Sequence, residues 1–577
     1  MSTSRAETLV SDTDLEKSAA PSVRDSVSGG KNGGIAVEKK STDDAKLENG
    51  EVKTGEEVDD TDYPKAMKMV MIVVALVLSI FLVALDMTIV ATAIPKITDQ
   101  FHGIDLVGWY GSAFFLTVGS FQSTWGKAYK YFPLKTTFLL SIFAFELGSL
   151  ICGVAPNSTT LIVGRAIAGL GGAGIASGAY TIIAFAARPH HRAAFTGLLG
   201  ASYGVASVVG PLLGGVFADK LSWRWCFYIN LPIGGVAGAI ILFFFSTPPS
   251  AVPTPATLKE KILQMDFPGT FTIMASLVCF FLALQWGGQT KSWKSADVIG
   301  TLVGFVLLLI AFLVIQYFQG ERGIIVGRLL KDRTVSVGMA YVFFLGGAWF
   351  LLLYYLPIYF QVVSGVSASQ SGVRNLPAII GVTIATIASG GLISAYGHLL
   401  TLHSVPFMIV SGLGATIGCG LLYTLSLHSS SGEWIGYQAL VGLAVGFGFQ
   451  IPVISAQAVV EPSDLSSVTA MVLFLQTIGG AFFISIAEVA FANRILHVLP
   501  HDAPEVVPAA VLSVGVTELR NVFGKTGPTI EGIVTAYLSG LKVTYAIAIA
   551  CAGLAFFISL ASKWRNLRGK VSMGGAA

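Results

Sequence analysis

From Met67 onward, long apolar segments alternate with short polar loops. Each apolar segment has about 18–25 residues, the length that a helix needs to cross the hydrocarbon core of a bilayer. The pattern therefore predicts an all-α polytopic membrane protein with about fourteen transmembrane helices. We place these helices near residues 68–92, 107–127, 135–155, 160–185, 193–217, 226–246, 267–286, 297–319, 335–361, 373–396, 405–427, 434–457, 466–490 and 541–562.

Composition excludes an ordinary soluble protein, because 53% of the 577 residues are hydrophobic and only 12% are charged. The net charge of +3 gives no reason to expect a nucleic-acid partner. The five cysteines are far apart and lie in or beside apolar segments, so we expect no metal site. The sequence has neither a G-x-x-x-x-G-K-[ST] motif nor the acid pair at one membrane face that a membrane enzyme needs. We therefore expect no cofactor and no enzymatic activity.

The positive residues and an internal repeat predict how the segments are arranged. Most Lys and Arg residues lie in loops that are cytoplasmic if both termini are cytoplasmic, which is the orientation we expect. Arg165-Ala-Ile-Ala-Gly-Leu170 aligns with Gln438-Ala-Leu-Val-Gly-Leu443, which indicates two repeated halves. The predicted organisation is a disordered tail (1–64), an N-terminal six-helix bundle (65–247), a linker with two extra helices (248–320), a C-terminal six-helix bundle (321–562) with an outer loop (491–540), and a second cytoplasmic tail (563–577).

The fifth predicted helix carries glycines at helical spacing. Gly200 and Gly204 are four residues apart, and so are Gly210 and Gly214, so each pair makes a flat strip that a neighbouring backbone can approach. Tight packing alone would also explain such pairs. The Gly-Pro-x-x-Gly-Gly segment, however, resembles the antiporter motif in helix 5 of major facilitator superfamily exporters, although Ala206 replaces one glycine of that pattern. The motif residues are Gly197, Gly200, Gly204, Gly210, Pro211, Gly214 and Gly215.

Other segments resemble the fourteen-helix drug:proton antiporters of that superfamily, in particular their fungal branch. Asp86, in Leu85-Asp86-Met-Thr-Ile-Val-Ala-Thr-Ala-Ile-Pro95, matches the helix 1 motif, Arg165 matches the arginine of the helix 4 motif, and the segment Trp223–Gly235 matches that branch. The resemblance covers about residues 65–562 and implies the major facilitator fold with two inserted helices. One loop departs from the family: Lys130 follows helix 2 where an acid is usual, which puts an acid–base latch at this loop in doubt.

Few ionisable residues lie inside the predicted helices, and each must face the protein interior or find a partner. We assign proton coupling to Asp86, Arg165 and Glu146. A carboxylate away from water can carry a proton, and an arginine can hold or release a nearby carboxylate. Structural roles are the alternative for all three residues. Glu488 lies near a helix end, and we expect its side chain to reach the membrane interface.

By family analogy, the substrate cavity is lined by apolar walls and a few polar groups. The candidate substrate-binding residues are Gln122, Tyr180, Trp349, Tyr354, Tyr355, Gln361, Gln450 and Gln476, with core packing as the alternative for each. Such a wall favours bulky hydrophobic substrates. The resemblance thus implies a monomeric plasma-membrane exporter of drugs or fungal toxins, driven by the proton gradient. The alternatives are an importer, a siderophore or vacuolar carrier of the same fold, and a membrane sensor that transports nothing.

Overall fold

The computed structural model describes residues 63–101, 107–288, 290–396, 404–514, 516, 519–524 and 526–564. The predicted tails 1–64 and 563–577 lie almost wholly outside the described residues. Within the described ranges, regular structure is helical apart from one isolated bridge between Gly287 and Lys291.

The N-terminal half contains seven helices. They are α1 (Ala66–Phe101), α2 (Val107–Tyr131), α3 (Leu134–Gly153), α4 (Ser158–Ala186), α5 (Pro189–Lys220), α6 (Trp225–Tyr228) and α7 (Asn230–Phe244). The sixth predicted crossing is therefore divided at Ile229. Local chemistry sets the ends of the helices: the Asn157 side chain accepts a hydrogen bond from the Thr160 amide and caps α4, and Pro189 occupies the first turn of α5, where no donor is needed.

The linker contributes α8 (Leu258–Leu263), α9 (Phe267–Trp286), α10 (Ala296–Gln319) and α11 (Gly327–Leu330). Asp266 fixes the start of α9 from a left-handed backbone conformation with φ of 45°. Its buried carboxylate accepts hydrogen bonds from the backbone amides of Gly269 (3.0 Å) and Ile324 (3.1 Å) and from the side-chain amide of Gln316 (2.6 Å). These bonds offset the backbone strain and tie the inserted pair α9–α10 to the chain that enters the second half.

The C-terminal half contains the remaining helices. They are α12 (Arg333–Val362), α13 (Ala368–Arg374), α14 (Leu376–Tyr396), α15 (Ser404–Tyr423), α16 (Ser431–Gly448), α17 (Ile451–Gln457), α18 (Leu465–Asp502), α19 (Pro508–Ser513), α20 (Leu519–Val522) and α21 (Pro528–Leu560). The predicted loop 491–540 is too long, because α18 continues to Asp502 and α21 already begins at Pro528. Apolar side chains such as Ile495, Leu499 and Ile533 form a small separate core there, which keeps both helices ordered.

Among the described residues, 13 helical segments are long and apolar enough to cross a membrane. The other predicted crossing is α2, a helix of 25 residues whose Gly, Ser, Thr and Gln residues make it less apolar than the rest. It packs against α4 and α18, so these polar groups face protein rather than lipid. The all-α fold expected from the sequence is therefore confirmed.

Helix packing repeats between the halves. α1 packs on α5 as α12 packs on α18, and α2 packs on α4 as α14 packs on α16. The halves meet along two seams, one between α2 and α18 and the other between α5 and α14. The inserted helix α9 lies against the first seam, where Phe280 stacks on Phe482 of α18 with 4.4 Å between ring centroids.

Candidate transport site

An ion pair lies inside the N-terminal half, between α1 and α4. Asp86 and Arg165 are 0% and 1% exposed, and an Arg165 guanidinium nitrogen donates to the Asp86 carboxylate. Arg165 also donates through Nε to the Tyr110 carbonyl (2.9 Å), and its guanidinium lies 4.4 Å from the centre of the Phe114 ring. The structure thus pairs the acid and the base on which the sequence-based coupling hypothesis depends, and it links both to α2.

Two further polar residues extend this cluster toward α3. The Asn230 amide donates to Asp86 Oδ1 (3.2 Å) and to the Ser149 hydroxyl (3.1 Å). Glu146, one turn from Ser149 on α3, lies against Gly234, where any larger residue would meet the carboxyl group. Sequence reasoning missed Asn230. It lies inside the segment that resembles the fungal branch, but nothing in that segment marks it as a partner of Asp86.

A central cavity of about 60 Å³ lies between the halves. Its polar lining includes Gln122, Tyr180, Tyr203 and Gln476, and its other lining residues carry apolar side chains, a threonine hydroxyl or no side chain. Two hydrogen bonds cross between the halves here: Gln450 Nε2 donates to the Tyr180 hydroxyl (3.1 Å), and the Thr477 hydroxyl donates to Gln122 Oε1 (3.2 Å). The cavity therefore has hydrogen-bonding groups from both halves.

The predicted substrate residues separate into two groups. Gln122, Tyr180 and Gln476 line the cavity, and Gln450 bonds to it through Tyr180. Trp349 and Tyr355 are buried in the core of the C-terminal half, and Gln361 lines a separate pocket beside Arg520. Tyr354 is 40% exposed and lies one turn beyond the cavity residue Phe350. Tyr203 and Phe350 are lining residues that the sequence did not single out.

The glycines of α5 allow close approach to both neighbours. A methyl group at Gly197 would lie 2.7 Å from the Thr386 carbonyl of α14, and one at Gly204 would lie 2.6 Å from the Thr383 hydroxyl. Gly210 instead faces Thr88 of α1. The seam between α5 and α14 therefore depends on small residues at these positions, whereas a methyl group at Gly215 would meet no atom within 4 Å.

The sequence matches the family model described as Major Facilitator Superfamily over residues 76–484. The chain belongs to the major facilitator superfamily. Fungal relatives support this. The MFS-type transporter grgE of a Penicillium species is 51% identical, with 89% of this chain and 90% of the relative covered. The probable efflux pump gsfJ of Penicillium aethiopicum is 50% identical, with 88% of this chain and 89% of the relative covered. The MFS-type efflux pump MFS1 of Arthroderma benhamiae is 43% identical, with 89% of this chain and 95% of the relative covered.

Solved structures share the fold at low sequence identity. The human organic anion transporter MFSD10 superposes with a TM-score of 0.55 at 14% identity, and 85% of this chain and 99% of that chain are covered. The proton:xylose symporter XylE also gives 0.55, at 13% identity, with 87% of this chain and 98% of that chain covered. The family model, the fungal relatives and the helices long enough to cross a membrane together show that the chain is a multi-pass major facilitator transporter.

The loop that departs from the superfamily pattern nevertheless joins the two halves through charges. Lys130, at the end of α2, forms a salt bridge of 2.7 Å with Asp464, which is mostly buried just before α18. Arg328 donates to Asp464 (2.8 Å) and to Glu321 (3.1 Å), and these two hydrogen bonds raise the pKa of Arg328 above the ordinary value for arginine. The acid missing from the first half is thus supplied by the second half. We call Lys130, Asp464 and Arg328 the inter-half latch.

Within the part of the chain that the structure describes, no group of three or more His, Cys, Asp or Glu residues could hold a metal ion.

Proposed function

We propose that this transporter exports bulky hydrophobic drugs or fungal toxins across the plasma membrane in exchange for protons. The observation that carries the proposal is the buried pair of Asp86 and Arg165, which places a titratable acid within a membrane-spanning helix. An acid in that position is a functional candidate by default, because a merely structural charge in lipid is costly. The relatives named as efflux pumps support the export direction.

The ion pair offers a physical route from proton binding to conformational change. A proton on Asp86 removes its charge and leaves Arg165 buried without a counter-ion. Removing one partner of a buried pair costs about 3–5 kcal/mol. Arg165 also bonds to the Tyr110 carbonyl and packs on Phe114, so a movement of Arg165 that relieves this cost breaks contacts between α4 and α2. Proton binding would thereby favour a different arrangement of the helices.

The central cavity supports a hydrophobic substrate with some hydrogen-bonding capacity. Its walls are mainly apolar and aromatic, and Gln122, Tyr180 and Gln476 supply polar contacts. Pockets for drug-sized ligands have volumes of about 300–1,000 Å³, whereas this cavity has about 60 Å³. The two halves must therefore separate at one end before a substrate can enter, as expected for alternating access about a site between the repeats.

The proposal further places both termini in the cytoplasm, so that the latch lies at the cytoplasmic face. It is supported by the excess of Lys and Arg in the loops of that side. In the described conformation this face is closed, because the latch joins α2 to the start of α18 and the Ala194 amide donates to the Ser394 hydroxyl between α5 and α14 (3.0 Å).

The test uses inside-out plasma-membrane vesicles from a pump-deleted yeast that expresses the full chain. Azoles, dyes and fungal toxins are first screened by growth inhibition, and the compounds to which the chain confers resistance are then followed in vesicles. We expect accumulation only when the vesicle interior is acidic, with a matching loss of internal acidity. Accumulation that is unaffected by collapse of the pH gradient would contradict proton exchange. Transport only in the opposite direction would favour an importer.

A further inference from the structure

Glu146 stands out among the charged residues described in the N-terminal half. Both of its carboxyl oxygens are buried, and neither has a hydrogen-bond partner among the described residues. On the same helix Phe143, Leu147 and Leu150 are exposed on the outer face, so Glu146 lies at the boundary between that face and the bundle interior. A charged carboxylate in this position would have neither water nor a cation to stabilise it.

Burial without a partner is tolerable for a neutral acid and very unfavourable for a carboxylate. Gly234 of α7 makes room for the carboxyl group, since an added methyl group there would overlap Glu146 Oε1. The neighbouring helix is therefore shaped around an acid and gives it no positive charge. This arrangement indicates that Glu146 carries a proton in the described conformation.

The surroundings of Glu146 connect it to the ion pair. Ser149 lies one turn along α3, and the Asn230 amide bonds both to this serine and to Asp86. Asn230 Oδ1 is itself buried and has no partner among the described residues. The titratable groups near this region include Asp86 on α1, Cys152 on α3, Arg165 on α4, and Cys226 and Tyr228 on α6. Arg165 is the only cation among these five, and it is paired with Asp86.

We propose that Glu146 is a second proton site of the transporter, coupled to Asp86: it keeps its proton while Asp86 is charged and can release it after Asp86 has been neutralised. Two nearby carboxylates cannot both be charged cheaply away from water, so a negative charge on Asp86 favours the protonated form of Glu146. This inference rests on the proton exchange proposed above, for which it supplies a second carrier.

The experiment is infrared spectroscopy of the purified full-length protein at neutral pH, which detects the carbonyl stretch of a protonated carboxyl group. Isotope labelling of glutamate identifies the band as a glutamate band in the wild type. We expect the band to be lost in Glu146→Gln and unchanged in Glu488→Gln, which alters the other glutamate within a predicted crossing. The coupling is tested by Asp86→Asn, which removes the nearby negative charge: in a pH titration of each protein, the glutamate band should disappear at a lower pH in the variant than in the wild type.

The absence of a protonated glutamate band in folded wild-type protein would overturn the proposal. A band with the same pH dependence in Asp86→Asn as in the wild type would also overturn it, because the protonation of Glu146 would then not depend on the charge of Asp86. If Glu146→Gln does not fold, the pH titrations of the labelled wild type and Asp86→Asn still test whether a protonated glutamate is coupled to Asp86. The measurement needs no transport, so a failure of proton exchange in vesicles and a failure of this proposal are distinguishable.

Discussion

Lys130 and Asp464 form a salt bridge of 2.7 Å between helices that belong to opposite halves of the transporter. Asp464 is only 4% exposed and also accepts a hydrogen bond from Arg328. A methyl group at Gly126, one turn before Lys130, would lie 3.0 Å from the Ser466 carbonyl, so the backbones of α2 and α18 are in close contact here. The inter-half latch therefore fastens the point at which the halves must separate if this end is to open.

Replacing Asp464 with Asn should shift the transporter toward a conformation that is open at the latch. The substitution removes the charge-assisted hydrogen bond from Lys130 that crosses between the halves, which is worth about 1.5–3 kcal/mol. Since 1.4 kcal/mol is a factor of ten, we expect a population change of about tenfold or more. Distances between spin labels at the ends of α2 and α18 would measure it.

The control for the latch is Asp297→Asn, which breaks the exposed salt bridge of 2.6 Å between Asp297 and Lys291 outside the seam. Exposed pairs contribute little, so the label distances should stay the same. Equal distances in the wild type and Asp464→Asn would show that the latch does not hold this end closed.

Enlarging a small residue on α5 should reduce transport only where that position is in close contact with a neighbouring helix. Gly197→Ala places a methyl group against the Thr386 carbonyl, whereas Gly215→Ala adds one where no atom lies within 4 Å. Overpacking commonly costs about 1–3 kcal/mol, so we expect folded protein with reduced transport for Gly197→Ala and wild-type transport for Gly215→Ala. Transport rates normalised to the amount of folded protein make the comparison. Equal rates for the two variants would remove the role assigned to the seam.

The hydrogen bond between the cavity residue Tyr180 and Gln450 joins the two halves, and its loss should change substrate recognition. Tyr180→Phe keeps the ring and removes the hydroxyl that accepts from Gln450 Nε2 at 3.1 Å. A typical net contribution of one hydrogen bond is about 0.5–1.5 kcal/mol, so we expect the affinity for a transported compound to change up to about tenfold. Binding isotherms for the purified protein would show this, with Tyr423→Phe as a control outside the cavity. Identical affinities would assign Tyr180 to packing.

The fold was predictable because each crossing leaves a strong signal in the chain. Apolar length located the helices, and the alignment of Arg165 with Gln438 indicated the repeated halves. The predicted loop 491–540 was too long because Pro500 and the polar residues around it are typical of a loop, whereas burial of Ile495 and Ile533 in a local core favours helix. Tertiary packing determines the helix ends in that region, and a short stretch of sequence carries no information about such packing.

The candidate site was only partly predictable, because its contacts join residues far apart in the chain. Asp86 and Arg165 were found through the cost of charge in lipid, which acts on each residue separately. Asn230 is uncharged and carries no such signal, although it lies beside Asp86 in the fold. Trp349 and Gln361 were assigned to the cavity from residue type and family analogy, and the side of the helix on which each lies depends on packing. The acid of the latch was missed because it belongs to the other half.

Replacing Asp86 with Asn should abolish uphill export and leave substrate binding intact. Asn preserves the shape of the side chain and its contact with Asn230, but it cannot take up or release a proton and cannot neutralise Arg165. The central cavity is lined by other residues, among them Met87 but not Asp86, so the affinity for substrate should change little. Asp86→Glu should keep part of the activity, since it retains a carboxyl group with a longer reach in a closely packed site.

The measurement follows substrate and internal pH together in reconstituted vesicles with an imposed pH gradient, and a binding isotherm for each variant controls for folding. Should Asp86→Asn still concentrate substrate against its gradient, the ion pair with Arg165 would be structural, and the proton would have to be carried by another acid, with Glu146 as the next to test.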